Sequence, residues 1–556
     1  MPQYLSLLLE CPRVIAAIFI CGIGGTFQYG FCVSVMTSPS AFIQELVNQT
    51  FVQRYGVSLK PWQVSLIWSF TVSIFCIGGL LGSLLSSSLL SKLGRKKCIL
   101  LNNFLVIIAA VLMFLSQTAT SFEMIMVGRF LYGINSGVNF SAHPMFLLEC
   151  TPKRIRGMVG VTIATFISLG KFSGQLLGIS ELLATETRWP WLLGFNGFAA
   201  LLQLLTLPLL PESPSVLLLD QGNRQACEQA LRKLWGDKDY SGVVEEMLEE
   251  KAALQSVRSH SVMELFRNQG IRWQRLTLIV VFCALQLSGV NAVYFYSFEV
   301  FRAAGIHESQ LRYAALGTGL CELCTSVTCF MIIENTGKKV LLFRGYMGMS
   351  ITLVLLTITL YLQTFVSWMP YCSMVLIFIF IICFAGGPAG VSSTLPGEIF
   401  TQSFKSAAFA IASIINWLGL FILGMVFPIL VENMDYFCFL IFLFFCATCG
   451  LYVKFNLPET KNLTALQIAV EFQKMHSKSE ASKRDKSSEQ QNNSLICKMK
   501  MHQAMATTEA LQPFDITTSG SGRREEFEQQ KQKNTHVSAS FKITSGHFNV
   551  KGHSDD

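Results

Sequence analysis

Twelve apolar stretches, each long enough to carry a helix through a bilayer, fill most of the first 457 residues of this 556-residue chain. Their limits are about 13 to 35, 63 to 90, 98 to 117, 122 to 147, 157 to 182, 189 to 210, 275 to 298, 311 to 334, 340 to 362, 368 to 395, 406 to 431 and 435 to 457. A hydrocarbon core of about 30 Å takes about 20 residues of α-helix, and within it every backbone N–H and C=O must be paired internally. The pattern therefore predicts an all-α membrane protein with twelve transmembrane helices. Charged residues make up only 14% of the chain, against about 25% in soluble proteins, which excludes a soluble globular domain and a wholly disordered chain. The net charge of +8 does not mark a nucleic-acid surface, because the basic residues fall in short clusters between apolar runs. The first stretch is long, Gly-rich in its middle and not closed by a small-residue cleavage pattern, so it reads as a span and not as a signal peptide.

Basic residues follow the even-numbered spans: Lys92, Arg95, Lys96 and Lys97 after the second, Lys153, Arg154 and Arg156 after the fourth, Lys338 and Lys339 after the eighth, and Lys405 after the tenth. The gaps after spans three, nine and eleven hold no Lys or Arg. The positive-inside rule then places both termini in the cytosol, and the plasma membrane is the expected location. The sequon Asn48-Gln49-Thr50 falls on the outer side, which makes Asn48 the candidate glycosylation site. Residues 1–12 form a short cytosolic N-terminus, 13–210 a first six-helix half, and 275–457 a second. Between them, 211–274 is a polar linker with amphipathic runs at Ala226 to Leu234 and Val243 to Leu254, expected as short cytosolic helices. The tail, 458–556, is rich in Lys, Ser, Gln and Glu and is expected to be mostly disordered.

The two halves echo one another. Gly94-Arg95-Lys96-Lys97 returns as Gly337-Lys338-Lys339, Glu149 precedes Arg156 as Glu398 precedes Lys405, and Pro211-Glu212-Ser213 returns as Pro458-Glu459-Thr460, each at an offset of about 245 residues. Parallel repeats of this kind build transporters with a site near the midplane, between the halves. Glu149 with Arg95 or Arg156, and Glu398 with Lys338 or Lys405, are expected as ion pairs that lock the halves on the cytosolic side. Exposed pairs are worth about 1 kcal/mol or less each, so such a latch requires a network.

These motifs carry a resemblance. Gly94-Arg95-Lys96-Lys97, Gly128-Arg129-Phe130, Glu149 to Arg156-Gly157, Pro211-Glu212-Ser213-Pro214, Gln286-Leu287-Ser288-Gly289-Val290-Asn291, Asn416-Trp417 and Pro458-Glu459-Thr460 together resemble the facilitative glucose transporters, sugar porters of the major facilitator superfamily, over about residues 13 to 462. Gly317-Thr318-Gly319 followed by Cys321-Glu322-Leu323 is similar to the class II, member-eleven type. The resemblance implies the twelve-helix superfamily fold and uniport of a hexose, glucose or fructose, by alternating access, with no enzymatic step and no cofactor. It also implies a monomer whose partners are a small solute and the lipid bilayer, not nucleic acid. Departures are visible: the family's paired glutamines in span seven stand here as Leu285-Gln286, its span-five glutamine as Ala164, its span-eight asparagine as Glu322, and its span-ten tryptophan as Ser393. Phe282-Cys283-Ala284 replaces the glucose-associated Gln-Leu-Ser, and Val293 stands where fructose carriers often have isoleucine.

Sugar recognition calls for neutral amides and flat apolar surfaces, because hydroxyls want donors and acceptors while ring faces want planar contacts. Gln286, Asn291, Gln175, Asn416 and Trp417 supply them at family-matched positions. Lys171 and Glu322 lie near the middles of spans five and eight, and intramembrane ionisable residues are costly and usually functional. The two are expected to pair, turning a neutral sugar site into a charged one. Proton symporters of the sugar porter family resemble this chain but carry an aspartate in span one where Cys32 stands, which favours uniport; Glu322 is the one residue that argues the other way.

The glycines at 170, 174 and 178 and at 78 and 82 suit close helix packing, whereas Gly386, Gly387 and Pro388 loosen span ten and are expected as a gating hinge. Cys321 with Cys324, and Cys446 with Cys449, have metal-like spacing without a nearby histidine and read as packing thiols, so no metal site is expected. His143 reads as structural, and no P-loop is present to drive transport with ATP. Two rival readings stand beside hexose uniport: a carrier of an organic anion or purine-like solute using Lys171, and a non-transporting sugar sensor that signals through its tail.

Overall fold

The structure, a computed structural model, describes residues 11–476 apart from 153–154, 256–260, 334–335, 435–436, 461–462 and 464–466. Lys153, Arg154 and the tail beyond 476 thus lie outside the described residues. The twelve spans are all helical, and no strand occurs among the described residues. Span one is Pro12–Gly24 followed by Thr26–Ser34; spans two to five are Pro61–Leu93, Arg95–Leu115, Phe122–Glu149 and Arg156–Leu177. Span six is Trp189–Gly194 followed by Asn196–Thr206. Span seven is Arg272–Leu287 followed by Val290–Phe295. Spans eight to twelve are Leu311–Ile333, Lys338–Leu362, Met369–Ile399, Gln402–Met434 and Cys438–Asn456.

Composition explains these elements. Among the described residues, nine helices are long and apolar enough to cross a bilayer on those grounds alone. Phe122–Glu149 is outside that set because its buried face is polar, with Arg129, Asn135, Ser136, Asn139 and His143 all about 1% exposed. In lipid, packing itself must hold helices together, and small residues let backbones approach. A Cβ on Gly133 would lie 2.1 Å from the Phe75 carbonyl oxygen, and one on Gly82 2.2 Å from that of Ile134, so spans two and four touch backbone to backbone. Span five meets span one the same way, through Gly170 against Phe27 at 2.1 Å and Gly30 against Ile167 at 2.0 Å. The glycine spacing was a packing signal.

The halves meet along two seams, span two against span eleven and span five against span eight, and the second piece of span one also packs on the second piece of span seven. The linker holds helices over Arg224–Trp235, Ser241–Gln255 and Val262–Arg267, and the Trp235 indole N–H donates to the Cys150 carbonyl at 2.9 Å, tying it to the end of span four. The first part of the tail is ordered as well: residues 467–476 are helical, Ile468 and Phe472 are buried, and the His476 ring stacks on Trp273 with centroids 3.8 Å apart. The linker and this helix share one face of the molecule; the opposite one is called the far face below.

Replacing Gly133 by Leu forces a backbone to move where spans two and four touch. Overpacking of this kind costs about 1–3 kcal/mol. The variant is expected to melt several degrees below the parent in detergent by intrinsic fluorescence, whereas Gly242→Ala, where the added methyl meets nothing within 4 Å, is expected to leave the melting temperature in place.

Candidate functional site

Span seven breaks at Gly289, whose φ of +87° is a left-handed conformation that glycine adopts without steric cost. The break brings together two amides that a continuous helix would hold apart. Asn291 Nδ2 donates to Gln286 Oε1 at 3.0 Å, and Gln286 Nε2 donates to Asn416 Oδ1 of span eleven at 2.7 Å. Gln286 is 2% exposed and Asn291 8%, while Asn416 is half-buried. The three form a relay of neutral donors and acceptors, the chemistry that hydroxyl groups exchange with readily.

Trp417, expected to offer a flat surface to the solute, is instead fully buried in the seam between spans two and eleven. Its indole N–H donates to Ser83 Oγ at 2.7 Å, Tyr29 and Phe75 pack edge-on with centroids 5.7 and 5.9 Å away, and a Cβ on Gly79 would lie 2.3 Å from the ring. A Trp is tolerated in such a place because its one polar atom has a partner. The ring is committed to joining the halves.

On the other seam Lys171 and Glu322 pair. Lys171 Nζ lies 2.9 Å from Glu322 Oε1 and 3.0 Å from Oε2, and the residues are 4% and 5% exposed. Ser168 Oγ donates to Glu322 Oε1 at 3.3 Å, and the ammonium stands 4.2 Å from the centroid of the Tyr294 ring. Four residues on, Gln175 Nε2 donates to Thr318 Oγ1 of span eight at 2.9 Å. The pair is satisfied by its own neighbours and is neutral as a unit. Tyr294, which the sequence reading passed over, is the residue that completes it; neither charge nor motif marked it in the sequence.

Among the described residues, the ion pairs at the linker end do not cross between halves. Arg95 binds Glu149 at 3.1 Å within the first half and Asp220 of the linker at 2.8 Å, and Lys338 binds Glu398 within the second half. Arg156 Nε donates to the Thr151 carbonyl at 3.1 Å rather than to Glu149, and Lys405 runs along Gly397, its Cε 3.2 Å from where a Cβ would stand. The physical reason is local: the acids close the ends of spans four and ten, directly beside the basic residues that start spans three and nine. The duplication extends to the second acid of each half. Glu212 Oε1 accepts from the Lys96 backbone N–H at 3.0 Å, and Glu459 Oε1 from that of Lys339 at 3.4 Å. Both carboxylates sit at helix N-termini, where the dipole and the free N–H groups favour negative charge.

The remaining candidates are placed as follows. Gly386, Gly387 and Pro388 fall in a π-helical turn over Ala385–Ala389, the widened geometry that frequently marks functional helices, and a Cβ on Gly387 would lie 2.6 Å from the Leu341 carbonyl oxygen. Asn48 lies in the helix Ser40–Tyr55, where its Oδ1 accepts from the Leu59 N–H at 3.2 Å, and the Thr50 hydroxyl is buried against the Leu46 carbonyl at 2.7 Å. Cys446 and Cys449 are buried thiols, whereas Cys324 faces outward from its helix. Arg129 donates to the carbonyls of Cys32 at 2.7 Å and Val72 at 2.9 Å with its guanidinium over the Phe75 ring. His143 is 1% exposed beside Gly25, where span one breaks.

Breaking a buried pair by removing one partner costs about 3–5 kcal/mol, whereas exchanging both for apolar residues of similar volume is often neutral. Lys171→Met and Glu322→Gln are each expected to lower the melting temperature of the purified protein markedly, and Lys171→Met combined with Glu322→Met to restore most of it. A double variant no more stable than the singles would show that the two charges do not act as a pair.

Residues 17–472 match the family model described as "Sugar (and other) transporter". The chain is 43% identical over 451 residues to human solute carrier family 2, facilitated glucose transporter member 9, covering 81% of this chain and 84% of that one. It is 42% identical over 469 residues to human facilitated glucose transporter member 11, covering 84% and 95%, and 39% identical over 465 residues to member 5 of Bos taurus, covering 84% and 93%. Among solved structures, the partially occluded inward open conformation of the xylose transporter XylE from E. coli aligns with a TM-score of 0.66 at 21% identity, covering 82% of this chain and 100% of that one, a likeness of fold.

Proposed function

We propose that this chain, which belongs to the sugar (and other) transporter family and has its two-half major facilitator fold, is a facilitative carrier that moves a neutral hexose down its gradient by alternating access. The observation that carries the reading is the relay of Gln286, Asn291 and Asn416 across the break in span seven, which can trade its internal hydrogen bonds for those of hydroxyls. The facilitated glucose transporters among its relatives point the same way. Lys171 adds support: an anion would have to displace Glu322 from a bidentate buried pair, so a neutral solute suits this site better than an organic anion. Uniport is favoured by Cys32, at the position where proton-coupled relatives hold an aspartate, and by Arg129, whose guanidinium is anchored on backbone carbonyls.

The same reading places the linker and both termini in the cytosol, the far face outside, and the protein in the plasma membrane as a monomer. The π-turn at Gly386, Gly387 and Pro388 is where span ten bends. Arg95 with Glu149 and Lys338 with Glu398 keep each half rigid while the halves rock, and Arg156 and Lys405 brace the same ends through Thr151 and Gly397.

Purified protein in liposomes is expected to take up labelled glucose or fructose saturably, with neutral hexoses competing and organic anions not. Imposing a pH gradient is expected to leave the initial rate unchanged. Asn416→Ala or Gln286→Ala is expected to raise the half-saturation constant about tenfold, the loss of roughly one good hydrogen bond in a buried site. Competition by anions in place of sugars would turn the assignment to a charged cargo, and binding without flux would turn it to a sensor.

A further inference from the structure

On the far face, the short helix Val290–Phe295 packs against the second piece of span one. Thr37 Oγ1, just past the end of span one, donates to the Tyr294 carbonyl at 3.0 Å and lies 3.3 Å from that of Phe295. Tyr294, Phe295 and Tyr296 are at most 1% exposed beneath that contact. The Tyr294 ring lies against the ammonium of Lys171, 4.2 Å from its centroid, and the same ammonium holds both oxygens of Glu322. One cation from the first half thus touches spans seven and eight of the second.

These contacts need not share a fate when the carrier turns over. Lys171 and Glu322 lie on the seam where spans five and eight pack along their lengths, so their bond is suited to persist. Tyr294 is different, because it rides on a six-residue helix joined to the rest of span seven through Gly289 in a left-handed conformation. Moving that helix away from span one breaks the Thr37 bond and takes the ring off the ammonium, where a buried cation and an aromatic face attract. A contact made in one state and absent from the other shifts the population toward the first.

We infer that Lys171 is a positioning residue for the outer gate: its charge, acting through the Tyr294 ring, holds the second helix of span seven against span one and biases the carrier toward the outward-closed state. This rests on the carrier reading above. Glu322 keeps the ammonium in place and neutralises it, so the pair serves the gate and is not spent on the solute.

The test is the sidedness of hexose transport by the full-length protein in oriented liposomes, read as the ratio of half-saturation constants for entry and exit. Tyr294→Leu is expected to lower that ratio about tenfold, because it releases the outer gate, and Tyr294→Phe to keep the parental ratio, because the ring remains. Lys171→Met with Glu322→Met leaves the ring and removes the charge beneath it, and is expected to lower the ratio as Tyr294→Leu does. Using a ratio cancels any change in solute affinity common to both sides and any loss of active protein. Saturable flux in the parent with an unmoved ratio in the double variant overturns this inference alone; a parent without saturable flux removes the carrier reading and this inference with it.

Discussion

In hydrocarbon a charged group has no water to fall back on, and inside this bundle Lys171 and Arg129 depend on partners supplied by other helices. That constraint governs where chemistry can stand. Lys171 is tolerable at the middle of span five because Glu322 of span eight meets both of its carboxylate oxygens to it. Trp417 is tolerable in the opposite seam because Ser83 of span two accepts its one N–H. Each seam between the halves is therefore joined by polar contacts that neither half can complete alone.

The same constraint organises each half from within. The acid closing span four pairs with the arginine opening span three, and the acid closing span ten with the lysine opening span nine. Glu212 and Glu459 then take up free N–H groups at the starts of spans three and nine. Among the described residues, two six-helix bodies are braced internally at their linker ends, while side-chain bonds between bodies lie along the seams and where the end of span one meets the second helix of span seven. Such a distribution of bonds suits rigid bodies that turn against each other.

Much of this was legible in the residues and some was not. Span number, the duplication and the glycine contacts followed from patterns whose physics is local: apolar length, repeated motifs, and small residues at four-residue spacing. The meeting of Lys171 with Glu322 was readable because two costly charges in facing spans have few alternatives. The partners of Glu149 and Glu398 were named correctly among two choices each, but their reach was misjudged, because sequence shows which charges are near a helix end and not which body lies beside it. Trp417 was misplaced for a related reason: an aromatic beside a polar residue reads the same whether it faces a chamber or a seam, and only the approach of Gly79 decides. Tyr294 carried no charge or motif to single it out, and the helical start of the tail looked too polar to dock until Phe472 and His476 were seen against Trp273.

Gly289 sits at the joint of span seven with φ +87°, and a Cβ there would lie 2.5 Å from the Phe442 ring. A left-handed backbone and a crowded Cβ position both favour glycine there, though it has no functional group to offer. A position with no functional group thus fixes where span seven turns, and through that turn the meeting of Gln286 with Asn291.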